Sequence, residues 1–123
     1  MLHVIIGGAY QGKTAYARER FGIKEEDIFS CARGVAPDWD TPALRYFENL
    51  VWFCLENGLE ITAALPRLEN KIVLCTEIFS GVVPVGAKER RWREETGRAL
   101  TALCARADTV TRLFCGISIT LKG

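Results

Sequence analysis

The residues whose types and spacing most clearly indicate a chemical function form a glycine-rich loop near the first residue of the chain. Residues 7–14 read Gly-Gly-Ala-Tyr-Gln-Gly-Lys-Thr, which fits the pattern G-x-x-x-x-G-K-[ST]. Glycines of this kind let main-chain N–H groups turn towards phosphates, and the N-terminus of a following helix adds a favourable dipole. Lys13 would contact the β- and γ-phosphates, and the Thr14 hydroxyl would hold Mg²⁺.

The pattern therefore predicts a site for Mg²⁺ and a nucleoside triphosphate, ATP or GTP. The residues predicted to contact the nucleotide are Gly7, Gly8, Ala9, Tyr10, Gln11, Gly12, Lys13 and Thr14. The flanks agree with this prediction, because residues 3–6 predict a strand and residues 13–21 predict a helix. Gly22 is placed to end that helix in a left-handed conformation. The alternative is a glycine-rich turn that binds no ligand.

Strands and helices alternate along the rest of the chain. Further strands are predicted at residues 27–31, 71–75, 109–115 and 117–122. Helices are predicted from the opening Asp40-Thr41-Pro42 to Glu56, over residues 61–68 with a disturbance at Pro66, and over residues 88–107. This order predicts one α/β domain over residues 1–123, with a mainly parallel sheet flanked by helices and a C-terminal strand pair. Ligands of such sheets bind beyond the carboxyl ends of the strands.

A second candidate for chemistry is Glu77, which follows the apolar strand predicted at residues 71–75. It would lie at the same edge of the sheet as the glycine-rich loop. There it would orient Mg²⁺ or accept a proton from an attacking hydroxyl. The alternative is a structural carboxylate that caps the loop before Pro84. Lys13 and Glu77 are thus the predicted catalytic residues, and Thr14 and Glu77 the predicted metal ligands.

The other polar residues are given structural interpretations. Asp38 and Asp40 are typical of turns or caps, Asp27 opens a strand at the opposite end of the sheet, and His3 lies beside the core. Three arginines near the start of the last helix would either clamp a phosphate or form a solvated, ion-paired face: Arg90, Arg91 and Arg93.

Composition indicates a globular domain without an extended nucleic-acid surface. Hydrophobic residues make up 49% of the chain, and 16 basic against 15 acidic residues give a net charge of +1. A nucleic-acid surface would need a basic excess. No apolar run is long enough to cross a bilayer. The strand predicted from residue 3 leaves no room for a signal peptide, and five spaced cysteines favour buried, reduced thiols, so a cytoplasmic location is expected.

Two apolar patterns bear on assembly. The helix predicted to end at Glu56 has an apolar stripe widened by three neighbours, and such a face is either deeply buried or part of a subunit contact. A homo-oligomer is therefore expected. In the last strand, alternating apolar residues predict a half-exposed terminal strand. The stripe comprises Leu44, Phe47, Val51 and Leu55, widened by Trp52, Phe53 and Cys54, and the alternating residues are Ile117, Ile119 and Leu121.

The two ends of the chain together resemble a known family. G-G-A-Y-Q-G-K-T at residues 7–14 is similar to the G-G-x-x-S-G-K-S loop of the adenosylcobinamide kinase/adenosylcobinamide-phosphate guanylyltransferases. T-E-I-F-S-G-V-V-P at residues 76–84 is similar to the family's N-E-V-G-x-G-I-V-P. Gly97-Arg98, Ala107-Asp108 and the closing C-G-I-S-I-T-L-K recur in the same order. The resemblance covers about half of the chain.

This resemblance implies a P-loop NTPase of RecA-like fold, often a trimer, that uses ATP or GTP to phosphorylate the corrinoid adenosylcobinamide in cobalamin biosynthesis. The family's guanylylated histidine lies in H-H-x-x-R-P-x-x-W-x-T, of which A-P-D-W-D-T at residues 36–41 is a remnant without histidine. Guanylyltransferase activity is therefore expected to be absent. The contracted middle of the chain leaves two alternatives: a non-catalytic nucleotide-binding accessory or regulatory protein, and a kinase for a different small molecule.

Overall fold

A six-stranded sheet organises the computed structural model, which describes residues 1–78 and 86–123. The spatial order of its strands is β2-β3-β4-β1-β5-β6, with all neighbours parallel except β5 and β6. The mainly parallel sheet and the C-terminal strand pair are therefore confirmed. Residues 79–85, which include Pro84 and most of the T-E-I-F-S-G-V-V-P segment, lie outside the described residues. The strands are β1 (His3–Gly7), β2 (Ile28–Ser30), β3 (Ala43–Arg45), β4 (Ile72–Thr76), β5 (Thr109–Phe114) and β6 (Ile117–Lys122).

Helices cover both faces of the sheet. Alternation along β1 sends Ile5 into one apolar cluster with Ala17 of the first helix, and Val4 into another with Leu103 of the last. Alternating side chains of a buried strand face opposite layers, so this is a three-layer α/β arrangement. The helices are α1 (Lys13–Phe21), α2 (Phe47–Glu56), α3 (Ile61–Ala64) and α4 (Ala87–Arg106), with 3₁₀ turns at Glu25–Asp27 and Leu65–Leu68.

Several sequence predictions are confirmed at close to residue level. The helix predicted at residues 13–21 is α1, and Gly22 ends it with φ 67°. The apolar run at 71–75 becomes the central strand β4, which pairs with β1 on one side and β3 on the other. Pro66 lies in the 3₁₀ turn that follows α3, where its missing N–H removes no helical hydrogen bond. These signals are local, which is why the sequence reveals them.

The predicted helix opening at Asp40-Thr41-Pro42 is wrong. Ala43–Arg45 form β3, and α2 begins only at Phe47. β3 lies between β2 and β4, so both of its edges are paired and Leu44 is fully buried. Main-chain pairing with two neighbours and side-chain burial outweigh a local helix preference of a few tenths of a kcal/mol, roughly, per residue. Tyr46, at φ 62°, makes the sharp change of direction between β3 and α2.

The wide apolar face of α2 is covered mainly within the chain. Val51 and Cys54 are buried in the cluster between the sheet and α4. Trp52 meets Trp92 of α4 edge-on, with ring centroids 5.5 Å apart, and the Arg33 guanidinium lies 3.9 Å from the Trp52 ring centroid. Deep burial, one of the two interpretations of this stripe, therefore accounts for most of it.

The last strand differs from its prediction. All six residues of β6 are exposed, including Ile117 at 64% and Leu121 at 57%, so the expected half-exposed pattern is wrong. β6 is the edge strand of the sheet, and exposed apolar edge strands are surfaces on which other chains pair.

None of the five cysteines forms a disulfide, and most are at least partly buried. Cys31, Cys54 and Cys75 are buried and Cys104 is partly buried, as expected, whereas Cys115 in the β5–β6 turn is exposed. In the described part of the chain, no helix is both long and apolar enough to span a membrane.

Candidate functional site

The glycine-rich loop joins the end of β1 to the start of α1. Gly12 precedes α1 in a left-handed conformation, φ 84°, which costs a non-glycine residue about 1–2 kcal/mol. The Gly12 carbonyl accepts the first helical hydrogen bond, from the Tyr16 N–H at 2.9 Å. No side chain caps this helix. The first N–H groups of α1 are therefore left for solvent or an anion, and the helix dipole favours an anion there.

Gly7 and Lys13 are packed against each other at the base of the loop. A Cβ atom on Gly7 would lie 3.0 Å from the Leu113 carbonyl oxygen and 3.4 Å from Cγ of Lys13. A larger residue at this position would therefore displace β5 or the lysine stem. The first glycine of the pattern thus has a packing reason that is separate from conformational freedom.

Lys13 is held over the loop with its charge only partly solvated. Its Nζ donates to the Gly8 carbonyl oxygen at 2.7 Å. Burial lowers the pKa of Lys13, while the carboxylates of Glu48 and, more weakly, Glu77 raise it. The ammonium group therefore experiences the charges of two acidic side chains and lies close to the main chain that would surround a phosphate.

A cleft of about 380 Å³ opens between the loop and the carboxyl ends of β3 and β4; we call it the loop cleft. One wall is the glycine-rich loop with the first turn of α1, and the other comes from β3, α2 and β4. Its position agrees with the expectation that ligands bind beyond the carboxyl ends of parallel strands. The lining residues are Ala9–Ala15 on one wall and Arg45, Tyr46, Glu48, Leu74 and Thr76 on the other.

Glu48 is the functional candidate that sequence reasoning missed. It lies in the first turn of α2, is only 7% exposed, and lines the loop cleft. Its Oε1 accepts a hydrogen bond from the Thr76 N–H at 3.0 Å. The sequence does contain an indication of its burial, because the three-residue spacing from Glu48 to the apolar Val51 places both on the same side of the helix. The wrong helix start hid it, since only the true start places Glu48 in the first turn.

Glu77 is held on the other side of the loop. Its main-chain N–H donates to the Gly7 carbonyl oxygen at 2.9 Å, which keeps it beside the end of β1. Its carboxylate is paired with Arg112 of β5, at 2.9 Å from Nε and 3.3 Å from Nη2. Among the described residues that line the loop cleft, Glu48 is present and Glu77 is not. Glu77 thus lies beside the end of β1, where the glycine-rich loop begins, but with a cationic partner of its own.

The cleft contains the oxygen donors that a magnesium ion prefers. Thr14, Thr76 and Glu48 all line it, and they provide two hydroxyls and a carboxylate. Mg²⁺ is usually bound by one or two carboxylates together with hydroxyls, water and phosphate oxygens. The residues of this cleft therefore fit Mg²⁺ bound together with a polyphosphate.

The turn and core residues behave as the sequence indicates. The Lys24 N–H donates to Oδ2 of Asp27 at 2.8 Å, and the Asp40 N–H donates to Oδ1 of Asp38 at 2.9 Å. His3 Nδ1 lies 2.6 Å from the Thr109 hydroxyl, and burial lowers the pKa of this histidine. These contacts are structural.

The arginines at the start of α4 are directed mostly to solvent. Arg90 and Arg91 are exposed, and in the next turn Glu95 pairs with Arg98 at 2.5 Å. The solvated, ion-paired face describes this part of α4 better than a phosphate clamp. Arg93 is partly buried and has an interaction of its own.

Neither a scan against protein-family models nor a search of curated proteins matches this chain. The resemblance seen in the sequence therefore stays a proposal, and the function is argued from the loop cleft.

Proposed function

We propose that the chain is a P-loop NTPase of RecA-like type that binds Mg²⁺ with ATP or GTP in the loop cleft and acts as a small-molecule kinase. The observation that carries the proposal is the combination of a complete G-x-x-x-x-G-K-T pattern with an uncapped helix N-terminus, both at the carboxyl edge of a parallel sheet. Main-chain N–H groups, a lysine and a buried carboxylate then border one cavity, and together they suit a polyphosphate with its metal.

In this proposal the residues of the chain bind and position rather than form covalent bonds. The N–H groups of the loop and of the first turn of α1 bind phosphate oxygens. When the nucleotide binds, Nζ of Lys13 leaves the Gly8 carbonyl oxygen and contacts the β- and γ-phosphates. There its positive charge stabilises the transferring group. Thr14 holds the metal, and bound Mg²⁺ would neutralise charge on the phosphates. The neighbouring carboxylate of Glu77 is proposed to accept the proton of the attacking hydroxyl, after release from Arg112.

The reaction is transfer of the γ-phosphoryl group to an alcohol. The bond between the γ-phosphorus and the bridging oxygen breaks, a bond from that phosphorus to the acceptor oxygen forms, and the nucleoside diphosphate leaves. On the sequence resemblance, we propose adenosylcobinamide as the acceptor and cobalamin biosynthesis as the setting, without guanylyltransferase activity. A cytoplasmic homo-oligomer, with a trimer as the form that the resemblance implies, completes the proposal. The exposed apolar residues of β6 are a surface on which such subunits would meet.

One observation favours the alternative of a non-catalytic nucleotide-binding accessory or regulatory protein. The remnant segment at residues 36–41 is used for packing, since Trp39 packs against the core and the Arg67 guanidinium lies 4.5 Å from its ring centroid. Among the described residues that line the loop cleft, none comes from this segment. Nucleotide binding would then remain without the acceptor site of a kinase.

Isothermal titration with Mg·ATP, Mg·GTP and adenosylcobinamide separates these functions. The kinase proposal expects binding of a nucleotide and of the corrinoid, followed by a phosphorylated product. Nucleotide binding without corrinoid binding would favour the accessory protein or a kinase for another acceptor. If neither nucleotide binds, or if Lys13→Ala binds Mg·NTP as tightly as the wild type, the phosphate-site proposal is wrong.

A further inference from the structure

Glu48 presents a buried negative charge to the loop cleft. The residue is 7% exposed, and it shares the cleft lining with Lys13, Thr14 and Thr76. A buried carboxylate is strongly unfavourable unless hydrogen bonds and positive charge compensate it. The contacts of Glu48 therefore show which of these compensating interactions the protein provides and which a ligand would have to provide.

Three elements fix this carboxylate in place. The Thr76 N–H at the end of β4 donates to Oε1 at 3.0 Å. Glu48 occupies the second position of α2, where the helix dipole favours a negative charge, and no side chain caps that helix. The indole Nε1 of Trp92 in α4 donates to the main-chain oxygen of Glu48 at 2.7 Å, which ties this first turn to α4. Both the side chain and the main chain of Glu48 are thus held by hydrogen bonds, which suits a group that positions a ligand.

The described residues compensate the negative charge of Glu48 only in part. Among the ion pairs of residues 1–78 and 86–123, none includes Glu48. Lys13 feels its charge but donates to the Gly8 carbonyl. A carboxylate has about four lone-pair sites, and Thr76 accounts for one of them. Glu48 therefore keeps capacity for a cation on the side of the cleft.

Glu77 offers the opposite case. Its two carboxylate oxygens both face Arg112, at 2.9 and 3.3 Å, so its charge is compensated within the protein. A metal ion bound by Glu77 would have to compete with Arg112 for this carboxylate. Glu48 has no such competitor among the described residues.

We propose that Glu48, rather than Glu77, supplies the carboxylate that holds Mg²⁺ beside the Thr14 hydroxyl when a nucleoside triphosphate binds. The inference rests on the proposed function, because the ion would enter with the nucleotide. It leaves Glu77 the role of proton acceptor and assigns the metal to the α2 wall of the cleft.

The test compares nucleotide affinity with and without the metal. The dissociation constant of ATP is measured by titration in excess Mg²⁺ and in EDTA, for the wild type, Glu48→Gln and Glu77→Gln. Glu56→Gln, at the exposed end of the same helix, is the matched control for loss of one negative charge. The side-chain amide oxygen that Glu48→Gln introduces can still accept from the Thr76 N–H, so the fold should be retained, and thermal unfolding checks this.

For the wild type, we expect Mg²⁺ to tighten ATP binding. In E48Q this tightening should fall by about 10-fold or more, because a neutral amide replaces the anionic oxygen ligand of the metal. E77Q and E56Q should keep it. Full retention of the Mg²⁺ effect in E48Q, or its loss in E77Q instead, would overturn the assignment. Absence of any ATP or GTP binding by the wild type is a separate result, which contradicts the proposed function itself.

A measurement on the unaltered chain covers the case in which E48Q does not fold. Crystals soaked with Mn·ATP, in which Mn²⁺ substitutes for Mg²⁺, would locate the metal by anomalous scattering. A peak beside the Glu48 carboxylate supports the inference. A peak beside Glu77, or one that contacts only phosphate and water, contradicts it.

Discussion

The two sides of the glycine-rich loop differ in how their acidic residues are compensated. On the side of α2, Glu48 is buried at the loop cleft and is held by a main-chain N–H. On the side of the β5–β6 hairpin, Glu77 is paired with Arg112, and the loop itself is tied down because Gln11 Oε1 accepts from the Cys115 N–H at 2.5 Å. We call these the α2 side and the hairpin side. On the hairpin side, the carboxylate is paired with a cation of the protein. On the α2 side, the carboxylate borders a cavity and has no ion-pair partner among the described residues, so a bound cation could compensate its charge.

The cysteines give the strongest expected contrast between the two sides. Cys115 on the hairpin side is exposed, while Cys31 and Cys75 near Glu48 are buried. Burial, and next the charge of Glu48, raise the pKa of both buried thiols, and that of Cys31 reaches about 12. With a thiol reagent at pH 8, Cys115 should react at least about 1,000-fold faster, because the buried thiols need local opening and are poorly ionised. Mass spectrometry of the labelled peptides gives the order of reaction.

In Cys115→Ser the fast phase should disappear. If Cys31 or Cys75 were labelled at the rate of Cys115, the α2 side would be open in solution, and the described packing around Glu48 would be wrong.

Lys13 lies between the two sides, and its removal should have the largest effect on binding. Lys13→Ala should weaken Mg·ATP or Mg·GTP binding by about 100-fold, because charge-assisted hydrogen bonds to phosphate contribute roughly 1.5–3 kcal/mol each. Lys24→Ala removes an exposed lysine and is the matched control. Calorimetric titration measures both, and an equal small loss in the two variants would show that only general electrostatic attraction is involved.

The buried thiols of the α2 side also predict a pH dependence of stability. The pKa of Cys31 is about 12 in the folded chain and near 9 when unfolded, so the unfolded state loses its proton first as pH rises. This stabilisation is complete below about pH 9 and is lost as pH rises towards 12. Between pH 8 and 10, ionisation of the Cys31 thiol in the unfolded state should by itself lower the free energy of unfolding by about 1 kcal/mol.

Urea unfolding at the two pH values, under reducing conditions, measures this effect. The decrease between pH 8 and pH 10 should be smaller in Cys31→Ala than in the wild type. An identical decrease in both proteins would mean that this thiol does not titrate as its burial requires.

The smallest effect is expected from breaking the ion pair of the hairpin side. Arg112→Ala should lower the free energy of unfolding by less than about 1 kcal/mol, because the pair is partly exposed and screened by solvent. It should leave the Mg²⁺ dependence of nucleotide affinity unchanged within about threefold, on the scale of an exposed charge. A large gain in Mg²⁺ dependence would show that the released Glu77 binds the metal, which would reverse the contrast between the two sides.

The sequence reveals the parts of this molecule that local signals specify. The pattern at residues 7–14, the helix that follows it, the Gly22 cap and the apolar strand before Glu77 all appear at their predicted places. β3 does not, because its conformation is set by pairing with strands that are distant in sequence. Glu48 was missed for the same reason, since its burial depends on where β3 ends and where the Thr76 N–H lies. Long-range contacts, rather than residue type, make this carboxylate special.

A crystal structure of the chain soaked with Mg·ATP or Mg·GTP would decide whether the loop cleft is a polyphosphate site. Our account predicts phosphates against the main-chain N–H groups of residues 8–14, with Lys13 turned from the Gly8 carbonyl to the phosphates and the metal between Thr14 and Glu48. A loop that stays closed, with Lys13 still on Gly8 and the nucleotide bound elsewhere or not at all, would contradict it.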